Sequence, residues 1–340
     1  MRVLVVHPGP HFSVADVHNG LVAGLLQQGC QVADFNLDAR LDFYTSAYLK
    51  KNRRYLKAFD YESACAVAAK GIESACYEFW PDLVVITSGF FVPPDLYRLM
   101  RSRGHHVVLW CTESPYEDDR QLLQAPYADT VILNDPINID RFRGQNKRTF
   151  YIPHGYDPLI HHPGPPINEL KSDFVFVGTG YQSRIDFFEK VDWASIDAKL
   201  AGNWGQVHDD SPLLPLLMHK RGECVDNADA ADLYRSTRVS VNLYRKEAEH
   251  DAHVQGWAMS PREIELAACR TVFAREPRGE GDDVLSMLPT ITEPAELGDV
   301  VRWFLDHDDQ RESLAAEAAE AIADRTFAAN AGRLLNLIDQ

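Results

Sequence analysis

Several absences narrow the sequence before any motif does. The six cysteines (Cys30, Cys65, Cys76, Cys111, Cys224 and Cys269) contain no C-x-x-C pair. That argues against a zinc ribbon or a disulfide framework and for reduced thiols. No apolar run approaches the roughly 20 residues of a membrane span. The opening MRVLVVHPGP is too short in apolar residues for a signal peptide and reads as a first strand entering a glycine turn. Positive charge is scarce, with 34 Lys and Arg against 50 Asp and Glu and a net charge of -16. Such a field repels DNA and anionic lipid unless a local patch reverses it. Internal repeats and low-complexity tracts are missing too. The expectation is a soluble, cytoplasmic chain whose 340 residues can build two cores.

What is present is alternation. Short apolar runs at 2–6, 31–36, 82–87, 106–110, 130–133 and 149–152 are separated by longer helical patterns. A stretch dense in Pro, Gly and His (153–172) reads as a linker, after which runs at 173–178, 197–202, 239–244 and 271–276 restart the pattern. This rhythm predicts an α/β fold of two Rossmann-like, doubly wound domains, 1–160 and 161–325. A helix at 326–340 leaves the second domain to pack back on the first.

Open parallel sheets bind ligands beyond the carboxyl ends of their strands, so the loops there are the places to look. In SPREIELAACRT (260–271), Ser260 and Glu263 form a capping box with Pro261 at the first helical position. Arg262 and Glu265 share one face of that helix, where a cation, a carboxylate acceptor and a positive dipole end together suit a nucleotide diphosphate. A plain intrahelical Arg–Glu pair explains them equally well. VGTGYQSR offers Gly178, Gly180 and Arg184, although a tight strand-to-helix turn also accounts for the glycines. AGNWG and NLYRK bring Asn203, Trp204, Asn242, Arg245 and Lys246 to the same sheet edge.

In the first half, HPGPHFSVADVHNGL supplies His7, His11, His18 and Asp16, and WCTESPYEDDRQ supplies Glu113. These are candidate acceptor contacts or bases, or surface and cap residues. No metal site is expected: His250, Asp251 and His253, Asp209 with Asp210, and the acids of DHDD (306–309) each fall short of a committed ligand set. LKKNRRYLKAFDY gathers Lys50, Lys51, Arg53, Arg54 and Lys57 among aromatics. It reads as an amphipathic helix with snorkelling basic side chains, or as a docking surface for an anionic acceptor.

Taken together, R-x-x-E-x-x-A-C (Arg262, Glu265, Ala268, Cys269), FVGTGYQSR, VSVNLYR and IPHGYDP resemble the GT-B glycosyltransferases, closest to the branch called CgeB-like or glycosyl transferases group 1. The resemblance is strongest from Tyr151 to Leu335. It implies two facing domains, with a nucleotide-sugar donor on the second and the acceptor mainly on the first. It places Glu265 on the ribose hydroxyls, and Arg184 with the amino end of the Ser260 helix on the diphosphate, assisted by Arg245 or Lys246. It further implies hexosyl transfer from a nucleotide-diphosphate sugar, a UDP-sugar favoured, with no metal and no other cofactor. Retention is implied, the donor phosphate taking the acceptor proton while Arg184 and the helix dipole stabilise the leaving diphosphate. An inverting course would need His11, Asp16 or Glu113 as base. Protein, nucleobase, lipid and small-molecule acceptors all fit. Two positions depart from the family pattern: Trp257 stands where an earlier glutamate is common, and Arg270 replaces a glycine, reshaping the donor pocket or adding a cation beside the phosphates. A catalytically silent nucleotide- or sugar-binding protein and a sugar-nucleotide epimerase share the same pattern.

Overall fold

Val3 and Val5 point to one side of a parallel sheet, and Leu4 and Val6 to the other. Both sides are covered, which is why these strands are apolar throughout instead of alternating with polar residues. Leu4 and Val6 pack with Ala68, Ile72 and Met100, whereas Val3 and Val5 pack with Leu21, Leu25 and Leu334. A computed structural model describes residues 1–10, 12–48, 61–218, 221–247 and 255–339. The chain divides into two units, Met1–Pro153 with Phe327–Gln340, and His154–Thr326.

The first unit holds β1 (Arg2–Val6), β2 (Gln31–Phe35), β3 (Leu83–Thr87), β4 (His106–Cys111), β5 (Thr130–Leu133) and β6 (Thr149–Tyr151). They pair in the order β2-β1-β3-β4-β5-β6, all parallel. The order reverses between β1 and β3, which opens a crevice beyond their carboxyl ends. The second unit holds β7 (Ser172–Val177), β8 (Ala198–Ala201), β9 (Thr237–Asn242) and β10 (Val272–Arg275), in the parallel order β10-β9-β7-β8. Its reversal lies between β7 and β9. Under this sheet sits an aromatic core in which Phe176, Phe188 and Trp204 meet at centroid distances of 5.0 to 5.9 Å.

The helical pattern near the C-terminus breaks where the sequence predicts. Helix Asp308–Ala321 ends, a turn follows at 322–324, and helix Phe327–Ile338 begins three residues later. This last helix packs on Phe12–Gln27 within the first unit. Gly24 makes the approach possible: a Cβ there would lie 2.4 Å from the Phe327 carbonyl oxygen. Backbone cannot swing aside as a side chain can. Gly24→Val is therefore expected to destabilise the chain by about 1–3 kcal/mol through overpacking, despite leaving every polar contact intact. The check is a thermal melt, and an unchanged midpoint would mean that the terminal helix does not seat in this groove.

Candidate functional site

The order reversal in the second unit is laced together by two arginines. Arg262, on helix Pro261–Ala268, donates from Nε to the Val177 carbonyl at the end of β7 (2.8 Å) and from Nη1 to Asn242 Oδ1 at the end of β9 (2.9 Å). Its guanidinium lies 4.6 Å from the Phe176 ring centroid, and a Cβ on Gly178 would come within 2.4 Å of Nη2. Gly178 is thus a space requirement for Arg262 as much as a turn residue. Arg184, buried on helix Gln182–Phe188, bridges one layer further out, donating to the carbonyls of Thr179 (2.9 Å) and Leu243 (2.7 Å). The sequence assigns Arg184 to a phosphate; the structure gives two of its terminal nitrogens to strand-end carbonyls, which makes it a brace between loops.

Helix Pro261–Ala268 aims its amino end at this knot. Ser260 caps it, the box with Glu263 is complete, and Ser260 Oγ donates to Asn242 Oδ1 (2.9 Å). Pro261 has no N–H and the box uses those of Ser260 and Glu263. The Arg262 amide remains as the donor at the positive end of the helix dipole. Asn242 is fully buried, and its Nδ2 has no hydrogen-bond partner among the described residues. One turn along, the partly exposed Glu265 carboxylate makes no hydrogen bond or ion pair among the described residues. It faces Tyr234, a buried phenol whose pKa is raised by burial first and by Glu265 second, with Arg262 pulling the other way. Arg262, Glu265 and the neutral Tyr234 phenol are therefore electrostatically coupled.

The remaining second-unit candidates separate. Trp204 is a correction. Its indole is 1% exposed, donates to the Ala201 carbonyl (3.2 Å) and sits 2.3 Å from where a Gly180 Cβ would be. It belongs to the aromatic core, and Gly180 is there to make room for it. Asn203 turns inward on its own loop, accepting from the Gly205 amide (3.0 Å). Arg245 donates to the Glu247 carbonyl (2.6 Å) and lies beside the Tyr181 ring, while Lys246 pairs with Glu276 (2.9 Å). Arg270 is also corrected. It follows the carboxyl end of the helix that Ser260 caps, ten residues and roughly 15 Å away at 1.5 Å per residue, so it adds no cation at the amino end. Its φ of 56° keeps the left-handed turn that a glycine would adopt more freely. Trp257 packs on Gly279 after β10.

Three residues escape the sequence reading. Glu247 accepts from the Ser183 amide (2.8 Å) and hydroxyl (3.2 Å) at the start of helix Gln182–Phe188. Burial pushes its pKa up, but those hydrogen bonds outweigh it and hold the carboxyl below its ordinary value. An acid already seated there leaves the Pro261–Ala268 helix as the better anion seat. Tyr234 is the second. His154 is the third: burial, with Arg278 and Arg325 nearby, lowers its pKa to about 4, so it is neutral at pH 7. A carboxylate one residue beyond NLYRK was a visible signal; the other two depend on tertiary neighbours.

In the first unit, His7 follows β1, half-buried and with its pKa lowered by burial and then by His18. Its Nδ1 accepts from the Gly9 amide (3.2 Å), leaving Nε2 to carry the proton of the neutral ring. His18 is buried, 2.9 Å from Asp34 through Nε2, and stacks edge-on to His7 at 4.9 Å. Asp16 is partly exposed two residues before His18, and Glu113 partly exposed just beyond β4; both have interactions of their own. Ser88, with φ 61°, shares a 2.6 Å hydroxyl contact with Thr112 at the same edge. His11, the Lys50–Lys57 segment and the His250–His253 group lie outside the described residues. Among the described residues no cluster of His, Cys, Asp and Glu could hold a metal ion, and no helix is long and apolar enough to cross a membrane.

A family profile described as glycosyl transferase-like matches residues 184–336. The spore protein CgeB of Bacillus subtilis (strain 168) is 20% identical over 206 residues, 56% of this chain and 62% of that protein's length. Among solved structures, an alpha-glucosyltransferase in complex with UDP aligns over 100% of both chains with a TM-score of 0.68 and 10% identity. A structure described as trehalose-6-phosphate from E. coli bound with UDP-2-fluoro glucose covers 100% of this chain and 99% of its own (0.62, 14%). Sucrose-phosphate synthase from Thermosynechococcus elongatus does the same (0.62, 12%). At these identities the structural likeness is one of fold. The chain thus carries a glycosyl transferase-like profile match over residues 184–336 and has the fold of GT-B glycosyltransferases.

Proposed function

We propose that the protein moves a sugar from a nucleotide-diphosphate donor, in the first instance a UDP-sugar, to an acceptor hydroxyl or amine, without a metal ion and with retention. The observation that carries this reading is the meeting of Arg262, the amino end of its helix and the unpaired Glu265 carboxylate at the β7/β9 reversal. Neighbours of this fold are described with UDP and UDP-2-fluoro glucose bound, which supports the choice of nucleotide.

On this reading the diphosphate lies against the Arg262 amide and guanidinium, where the helix dipole adds to the positive field. Glu265 accepts from the two ribose hydroxyls. Arg184 and Asn242 hold the loops on either side, and Arg245 is the next cation available to the leaving phosphate. As the glycosidic bond breaks, negative charge grows on the diphosphate, and donors already fixed in place stabilise it without reorganising. A donor phosphate oxygen accepts the acceptor proton. On this reading the first unit supplies the acceptor side, through His7, Asp16 and Glu113 in the loops and helix that follow its strands.

The test pairs binding with turnover. UDP and UDP-sugars at about 100 times Kd should stabilise the fold by roughly 2.7 kcal/mol, and other nucleoside diphosphates by less. Glu265→Ala should weaken UDP binding about 10- to 100-fold, the worth of a charge-assisted pair of hydrogen bonds. Release of free UDP, dependent on acceptor, establishes transfer. Binding without any release assigns a silent binding protein, and conversion to an epimeric sugar nucleotide without free UDP assigns an epimerase.

A further inference from the structure

In the first unit, on the side of the sheet opposite the carboxyl ends of its strands, lies a polar cavity of about 620 Å³. It opens at the amino ends of β4, β5 and β6. His106 and Thr130 begin two of these strands, and Arg148 precedes the third. Arg101, Lys147 and Arg148 line it against a single carboxylate, Asp129. In a chain of net charge -16 this excess of two positive charges runs against the global field.

Asp129 is already committed. It accepts from Arg101 Nε (2.7 Å) and from the Val107 amide (2.9 Å), so it fixes the wall and does not neutralise the other two cations. Arg148 is aimed by two bonds, to Thr130 Oγ1 (3.3 Å) and the Leu337 carbonyl (2.8 Å). Lys147 is exposed, and its ammonium makes no hydrogen bond or ion pair among the described residues. His106 shares Thr130 Oγ1 (3.0 Å), and its pKa is lowered by burial, with Asp129 opposing and Arg148 and Arg101 adding to the effect. Burial and two adjacent guanidiniums thus leave His106 neutral, as expected where positive charge lacks a counter-anion. Pro126 and Ile338 supply an apolar rim on either side.

We infer that this cavity is a binding site for a small molecule bearing a phosphate dianion, held by Lys147, Arg148 and Arg101. Two net positive charges match the dianion, a guanidinium fork offers paired donors to phosphate oxygens, and the rim can cover the carbon part of an ester. Because Arg148 also holds the Leu337 carbonyl near the end of the Phe327–Ile338 helix, an occupant shares its anchor with that helix. The site is independent of the transfer reading, since none of its residues belongs to the second unit.

Titrating the full chain with inorganic phosphate, ribose 5-phosphate and ribose tests it, by calorimetry and by the His106 ring resonances in NMR. Saturable binding of both phosphates and not of ribose is expected, with the His106 titration midpoint moving up as the anion arrives. Tighter binding of the ester assigns a phosphorylated metabolite, and equal affinities assign phosphate itself. Lys147→Gln and Arg148→Gln should each weaken binding by about tenfold, whereas Arg262→Gln should leave it unchanged. Lys147→Gln removes no hydrogen bond among the described residues, so it stands even where Arg148→Gln disturbs the terminal helix. Absence of saturable binding at about 10 mM, or binding that survives both substitutions, overturns the assignment.

Discussion

Arg262→Gln is expected to lower donor turnover by about 10²- to 10³-fold, the range seen when one preorganised donor is removed from a developing anion. Two consequences follow from one guanidinium. Its Nε and Nη1 tie the Val177 carbonyl to Asn242, so glutamine, with a shorter reach and a single amide, cannot span both strand ends. The guanidinium charge beside the helix amino end also disappears, while the Arg262 backbone N–H stays. Arg262→Lys separates the two effects: it restores charge without the planar fork and should recover part of kcat but little of the loop geometry. Arg184→Lys makes the contrasting case. Its guanidinium bonds the Thr179 and Leu243 carbonyls, so its loss should lower the thermal midpoint and raise KM before it lowers kcat. Steady-state kinetics on the folded variants decides. If Arg262→Gln leaves kcat within about threefold, the diphosphate does not sit at this helix, and the proposed transfer chemistry loses its anchor.

The sequence exposes what is local and conceals what is assembled. β1 to β6 and β7 to β10 lie within two residues of their apolar runs because a strand buried on both faces must be apolar along its length. The capping box was equally legible, since Ser260 and Glu263 meet within one helical turn. Trp204 was not: whether an aromatic after a strand enters the core depends on Phe176 and Phe188, 28 and 16 residues earlier in the chain. Arg184 shows the same limit. Its charge and its place after a glycine turn fit a phosphate ligand, yet the Leu243 carbonyl that receives it lies 59 residues away. Glu247 binds Ser183 across 64 residues and alters the electrostatics of a helix that local pattern left open to an anion. Charges near a sheet edge can be counted from sequence, but which of them remain available is settled by the backbone carbonyls that converge there.

Glu263→Ala is expected to be the most destabilising single change in the second unit, about 3–5 kcal/mol, by breaking a buried charged network on one side only. The Glu263 carboxylate is fully buried. Its Oε2 accepts from the Ser260 amide (2.8 Å) and from the Tyr244 hydroxyl, while Arg275 and Arg278 lie close enough to shift its titration. Alanine would leave the Tyr244 hydroxyl without an acceptor, open the capping box and strand Arg275, itself 1% exposed, with only Asp282 as ion-pair partner among the described residues. At about 2–4 °C per kcal/mol for a unit of this size, the thermal midpoint should fall by roughly 10 °C. Glu263→Gln keeps an acceptor oxygen and should fall much less. The two variants also fix the protonation state. Burial, the largest influence, raises the Glu263 pKa above 4.5, and the Tyr244, Ser260 and arginine contacts only partly offset it. The folded chain therefore holds this proton more tightly than the unfolded chain does. Stability linked to Glu263 is greatest below the unfolded value and declines as pH rises through the folded one. Glu263→Gln has no such slope, so the advantage of the native chain over it should shrink as pH rises above the ordinary carboxyl value of 4.5 in paired thermal melts. An advantage that instead grows with pH would mean that the hydrogen bonds and arginines outweigh burial, and that the carboxylate is held ionised at the base of the helix.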